Sequence, residues 1–100
     1  MKTKLLKRLR RKAKRKYFVR VLNCNQNYYL VIARWFPITG YEYLQRGCYS
    51  WTSEDIEAQW FYNEKDCVEK LDWVRRRYIL DCLQKINFKQ LKRKINKMKY

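Results

Sequence analysis

The excess positive charge of this 100-residue chain lies entirely in its two ends, and that segregation limits where a core can form. Residues 1–20 carry eleven Lys or Arg and no acid, and residues 85–100 carry seven and no acid. The 64 residues between them hold seven basic and nine acidic side chains. Segments so uniformly charged repel themselves and gain order from an anionic partner. The packed interior must therefore come from the middle of the chain. Sixty-four residues are near the lower limit for a self-sufficient core. Large rings compensate: 17% of the chain is aromatic, and most of those residues fall between Tyr17 and Tyr78. The organisation expected is one compact body, 17–86, with a basic N-terminal arm, 1–16, and a basic amphipathic C-terminal arm, 87–100.

Along the chain, Leu5, Leu9 and Ala13 recur at helical spacing inside a Lys/Arg-rich tract, which predicts a basic helix over 2–16. Tyr17–Leu22 and Tyr28–Phe36 are rich in β-branched and aromatic residues and predict two strands around an Asn-rich hairpin loop, Asn23–Asn27. Pro37 and the Ile38-Thr39-Gly40 turn stop the second strand. A third strand is expected over Tyr41–Ser50, with Gly47 as a bulge. A fourth is expected over Asp55–Tyr62, where Ile56, Ala58, Trp60 and Tyr62 alternate with Asp55, Glu57 and Gln59. Asn63 then caps a helix with Glu64 and Asp66 in its first turn. Its apolar face is Cys67, Leu71, Val74, Tyr78 and Cys82. A second apolar set, Phe88, Leu91, Ile95 and Met98, has the same spacing in a different phase. The helix either breaks near Asn87 or offers a second stripe to a partner, and the partner is the favoured reading. The fold class is therefore α+β: a small antiparallel sheet of three to four strands covered by one long C-terminal helix, with a basic helix at the N-terminal side.

Chemistry at a catalytic centre has little to build on. The chain contains no His, the commonest general base, and no Gly-rich phosphate loop. Asp55 and Glu57 read as a solvated strand face. The cysteines Cys24, Cys48, Cys67 and Cys82 lack the paired spacing of a structural zinc site. Without an export signal they are expected to stay reduced. The longest apolar run, Tyr28–Ala33, is too short to cross a bilayer. No enzyme activity, cofactor, metal or small-molecule substrate is expected. Tyr17, Phe18, Arg20, Tyr28, Tyr29, Arg34, Trp35 and Phe36 interleave rings and cations in the manner of single-stranded nucleic-acid binders, but so small a body needs its rings inside.

The basic tracts carry the functional expectation. Lys2, Lys4, Lys7, Arg8, Arg10, Arg11, Lys12, Lys14, Arg15 and Lys16 at one end, with Lys89, Lys92, Arg93, Lys94, Lys97 and Lys99 at the other, are the candidate polyanion-binding residues. Leu5, Leu9, Phe88, Leu91, Ile95 and Met98 are the candidate apolar docking residues. A Lys/Arg-rich opening, a short aromatic sheet, and an aromatic segment leading into a capped helix follow one another here. The last of these is Ala58-Gln59-Trp60-Phe61-Tyr62-Asn63-Glu64-Lys65-Asp66-Cys67-Val68-Glu69-Lys70-Leu71. This layout, over roughly residues 5–80, resembles that of small basic accessory proteins of tailed bacteriophages. The resemblance implies a non-catalytic role in or around the virion, on capsid or portal vertex, in the particle or the host cytoplasm. Other subunits of a large assembly would be its partners, with nucleic acid a further partner through the arms. The alternative is a free, sequence-nonspecific protein binding RNA or single-stranded DNA.

Overall fold

The computed structural model describes residues 2–24 and 27–98. In chain order the elements are helix α1 (Lys2–Lys16), strands β1 (Phe18–Cys24), β2 (Asn27–Phe36), β3 (Gly40–Leu44) and β4 (Trp51–Thr52), a 3-10 turn at Asp55–Glu57, and helix α2 (Glu64–Met98). The four strands form one antiparallel meander in sequence order. The α+β class, the antiparallel sheet and the long covering helix read from the sequence are all present.

Register follows from the alternation of side chains across the sheet. Val19 lies opposite Ile32 and Arg20 opposite Val31; Ala33 faces Tyr43 on the other side. Because neighbours across strands share a face, β2 sends Ile32 to one side and Val31 and Ala33 to the other. Both sides are packed, so all three are fully buried. On the helix side, Ile32 meets Tyr17, Leu44, Phe61, Cys67, Leu71 and Val74. On the opposite side, Val31, Ala33, Tyr43 and Ala58 are covered by Phe18, Leu22 and Trp60, without any helix above them.

Helix α2 starts where Asn63 predicts. Its Oδ1 accepts from the Asp66 backbone N–H at 2.8 Å, and its Nδ2 donates back to the Asp66 carboxylate at 2.9 Å. A cap of this kind contributes about 1 kcal/mol. Cys67, Leu71 and Val74 are its buried residues, and Tyr78 packs beside them, as their spacing required. The helix does not break at Asn87 but continues through Met98.

Three expectations are corrected. The third strand ends at Leu44 rather than Ser50, because Gly47 (φ 79°) turns the chain back into the two-residue β4. Gly47 is thus a turn and not a bulge. Asp55–Tyr62 is not a continuous strand. The Thr52 hydroxyl accepts from Glu54 N–H and donates to the Glu57 carboxylate, and Glu57 and Ala58 N–H bond three residues back. These local bonds outcompete a sheet ladder. Only Ala58 and Phe61 bridge to the sheet, at Gln45 and Leu30. The expected inward row fails accordingly: Ile56 and Tyr62 are 78% and 82% exposed, while Phe61 is buried. The hairpin between β1 and β2 is also tighter than expected, with Cys24 already paired to Asn27; positions 25 and 26 lie outside the described residues.

Burial pushes the Cys67 thiol from 9.0 to about 11. Tyr17 is pushed from 10.0 to about 12, first by burial and then by neighbouring Tyr49. Both shifts hold the neutral form in the folded state. Their stabilisation is complete below the ordinary values and is lost as pH rises through the window toward about 11 and about 12. Thermal melts across that alkaline window should show a falling Tm, and Tyr17→Phe should flatten the fall. Alkylation near neutral pH should mark exposed Cys48 while sparing Cys67 until the protein unfolds.

Candidate polyanion-binding surface

Leu9 and Ala13 place one narrow stripe of α1 against the rest of the chain, and both are buried. The helix is thereby docked along α2 and does not extend freely. Arg75, from the N-terminal half of α2, fixes its end. Arg75 donates to the Tyr17 carbonyl through Nε (3.2 Å) and Nη2 (2.8 Å), and through Nη2 toward the Lys14 carbonyl (3.5 Å). These carbonyls close the C-terminus of α1, where the helix dipole favours a cation. Burial lowers the Arg75 pKa, and the nearby Asp72 carboxylate opposes that shift. Lys16 adds a second anchor: its ammonium sits 5.0 Å from the Tyr78 ring centre, with the Tyr17 and Phe36 rings slightly farther away.

From that fixed end α1 runs antiparallel to α2. Leu6 shares an open groove with Ile79, Leu80 and Leu83, later residues of α2 than Arg75. The start of α1 therefore lies toward the C-terminal half of α2. The start of the N-terminal basic tract is thereby brought toward the C-terminal one, in a molecule 66 × 26 × 25 Å, while Lys14 and Lys16 stay beside the sheet. The acids of α2 lie mostly in its first turns, Glu64, Asp66, Glu69 and Asp72, near the sheet; no acid follows Asp81. The acids thus gather on the sheet-side half of α2, and its C-terminal half is cationic.

Comparison with protein-family models, curated proteins and solved structures returned no match.

Around α1, Lys4, Lys7, Arg8, Arg11, Lys12 and Arg15 line a shallow surface on the side away from α2. Steps of three and four keep them on one face. All six are exposed. Among the described residues, the ion pairs are Arg34–Glu42 (3.0 Å) and Arg76–Asp72 (2.9 Å), and neither involves a side chain of α1. Arg10 and Lys14 are exposed at the α2 groove. Lys89, Lys92, Arg93, Lys94 and Lys97 are exposed along α2, whereas Lys99 lies outside the described residues. Of the apolar candidates, Leu9 is spent inside the chain and Leu5 is half-buried. Phe88, Leu91, Ile95 and Met98 are all free, at 75%, 52%, 49% and 77% exposure.

The interleaved rings and cations divide between the two faces of the sheet. Tyr17 stacks on Trp51 in the core at 5.3 Å, and Arg34 lies 4.4 Å over the Trp51 ring. On the helix-free face, Tyr29 stacks on Trp60 at 4.7 Å, and the Arg20 guanidinium lies 3.6 Å from the centre of the Tyr41 ring. Trp35 and Tyr41 remain exposed there. The clamping role of Arg75 has no pattern of its own in the sequence. Its only signal was an Arg triplet, Arg75–Arg77, interrupting an amphipathic helix.

Among the described residues, no group of three or more His, Cys, Asp or Glu could hold a metal ion. No helix among them is long and apolar enough to cross a membrane.

Proposed function

We propose that this chain is a non-enzymatic accessory protein of a large assembly, seated by its cationic helical end on acidic protein surface or packaged nucleic acid. By the likeness of its layout, the assembly is a tailed-phage virion, with the capsid or portal vertex as the seat and the particle or host cytoplasm as the location. The approach of the start of one basic tract to the other, with the basic face of α1 left open, carries the reading. Six exposed cations on one face of α1, and more along the end of α2, raise the local potential far above that of either tract alone. Self-repulsion there destabilises the free protein, and an anionic seat relieves it. The sheet offers an ordinary surface for orientation.

A second reading, a free nucleic-acid-binding protein, is favoured by the helix-free sheet face with Trp35, Tyr41 and Arg20. Bases stacking there would each contribute about 1–3 kcal/mol. Density-gradient fractionation of particles carrying the tagged full chain separates the two. The assembly reading expects co-sedimentation in fixed stoichiometry and release in concentrated salt. It is overturned if the chain sediments alone and, once purified, binds one nucleic acid tightly and selectively near physiological salt.

A further inference from the structure

The last three turns of α2 are unusual for a helix in a small protein. Every side chain from Asn87 to Met98 is exposed, so the helix runs about 18 Å with none of the described residues packed over it. A helix of this length has little stability of its own in water. Nor is it polar all round, as a solvent-spanning helix would be. Phe88, Leu91, Ile95 and Met98 follow the three-four-three spacing of a two-helix seam. A shallow hollow between Asp81, Gln84, Lys85 and Phe88 continues that seam toward the body.

We infer that this segment is the docking site for an acidic amphipathic helix of a partner protein. The inference rests on the assembly reading above and names the chemistry of the protein partner. The seam calls for Leu- or Ile-like side chains opposite Phe88, Leu91, Ile95 and Met98. Lys92 and Lys94 flank it, in the positions where interhelical ion pairs select partners. Glutamates beside the partner's seam complete those pairs. A second copy of the same helix would match the apolar spacing but set Lys against Lys, because no acid lies beyond Asp81. Like charges placed across such a seam oppose pairing. Duplex DNA satisfies the lysines but leaves four large apolar side chains without an apolar partner.

The test uses the full chain and a labelled peptide of three heptads, with Leu at the seam and Glu at the flanks, read by fluorescence anisotropy at near-physiological salt. A scrambled peptide of the same composition, a short DNA duplex and mixed phosphatidylcholine–phosphatidylglycerol vesicles are run beside it. The heptad peptide is expected to bind at least about tenfold more tightly than the scrambled one. The double variant Leu91→Ser, Ile95→Ser should erase that preference with an unchanged Tm, since both residues are exposed. Equal binding of the two peptides overturns the inference. So does a Leu91- and Ile95-dependent affinity for duplex or vesicles in place of the peptide. Particles in which the double variant is retained as well as the parent chain refute the tail site alone. A chain that prefers the heptad peptide yet never co-sediments refutes the assembly reading alone.

Discussion

Replacing Lys7, Arg8, Arg11 and Arg15 together with Gln is expected to weaken binding to duplex DNA about 10³-fold at 0.1 M salt, while leaving Tm unchanged or raising it. Each neutralised phosphate contributes about 0.9 to the slope of log K against log salt, so the four replacements should lower that slope by up to about 4. The stability half of the expectation has a separate cause. These side chains are exposed and form no ion pair among the described residues. Gln matches Lys and Arg closely in helix propensity. What the variant removes is repulsion within α1 and between α1 and the end of α2. Added salt should mimic part of this effect in the parent protein, because screening reaches about 8 Å at physiological ionic strength. Unaltered affinity and slope would show that this face does not meet the anion. A collapse in Tm would show that the charges serve the fold instead.

Ile32→Ala is expected to have the largest effect on stability, a loss of about 2–5 kcal/mol. Ile32 is fully buried in the central part of β2 and meets Leu44, Phe61, Leu71 and Val74, which hold the sheet on α2. Domains of this size have a total stability of about 5–15 kcal/mol, so the variant approaches the limit of folding. Urea denaturation followed by tryptophan fluorescence would measure it, with Trp51 in the same cluster as the reporter. A loss below about 1 kcal/mol would mean that the sheet and α2 are not joined through this residue. Only the Ile32 variant should lower stability, as expected if the strand cluster holds the fold and the charges of α1 lie outside it.

Local pattern was sufficient for the start and phase of α2, for β2, and for the basic helix. Asn63 caps within three residues, and the inward faces repeat at the period of their own element. The failure over Asp55–Tyr62 is equally physical. Alternation there matched a strand, but the Thr52 hydroxyl and backbone bonds three residues apart gave the chain a closer partner than a ladder. Gly47 misled for a related reason: a positive φ serves a turn as well as a bulge, and only the pairing of Leu44 with Trp51 distinguishes them.

From the sequence alone came the segregation of charge, the α+β class and the two apolar phases of the C-terminal helix. Each depends on composition or on a period of two to four residues. Only the tertiary structure decided that the start of the N-terminal basic tract lies toward the C-terminal one. That placement depends on Leu9 and Ala13 packing inward, and on Arg75 reaching the carbonyls of Lys14 and Tyr17 from about sixty residues away. No periodicity encodes it, because a guanidinium that clamps another helix looks the same in sequence as one that faces water.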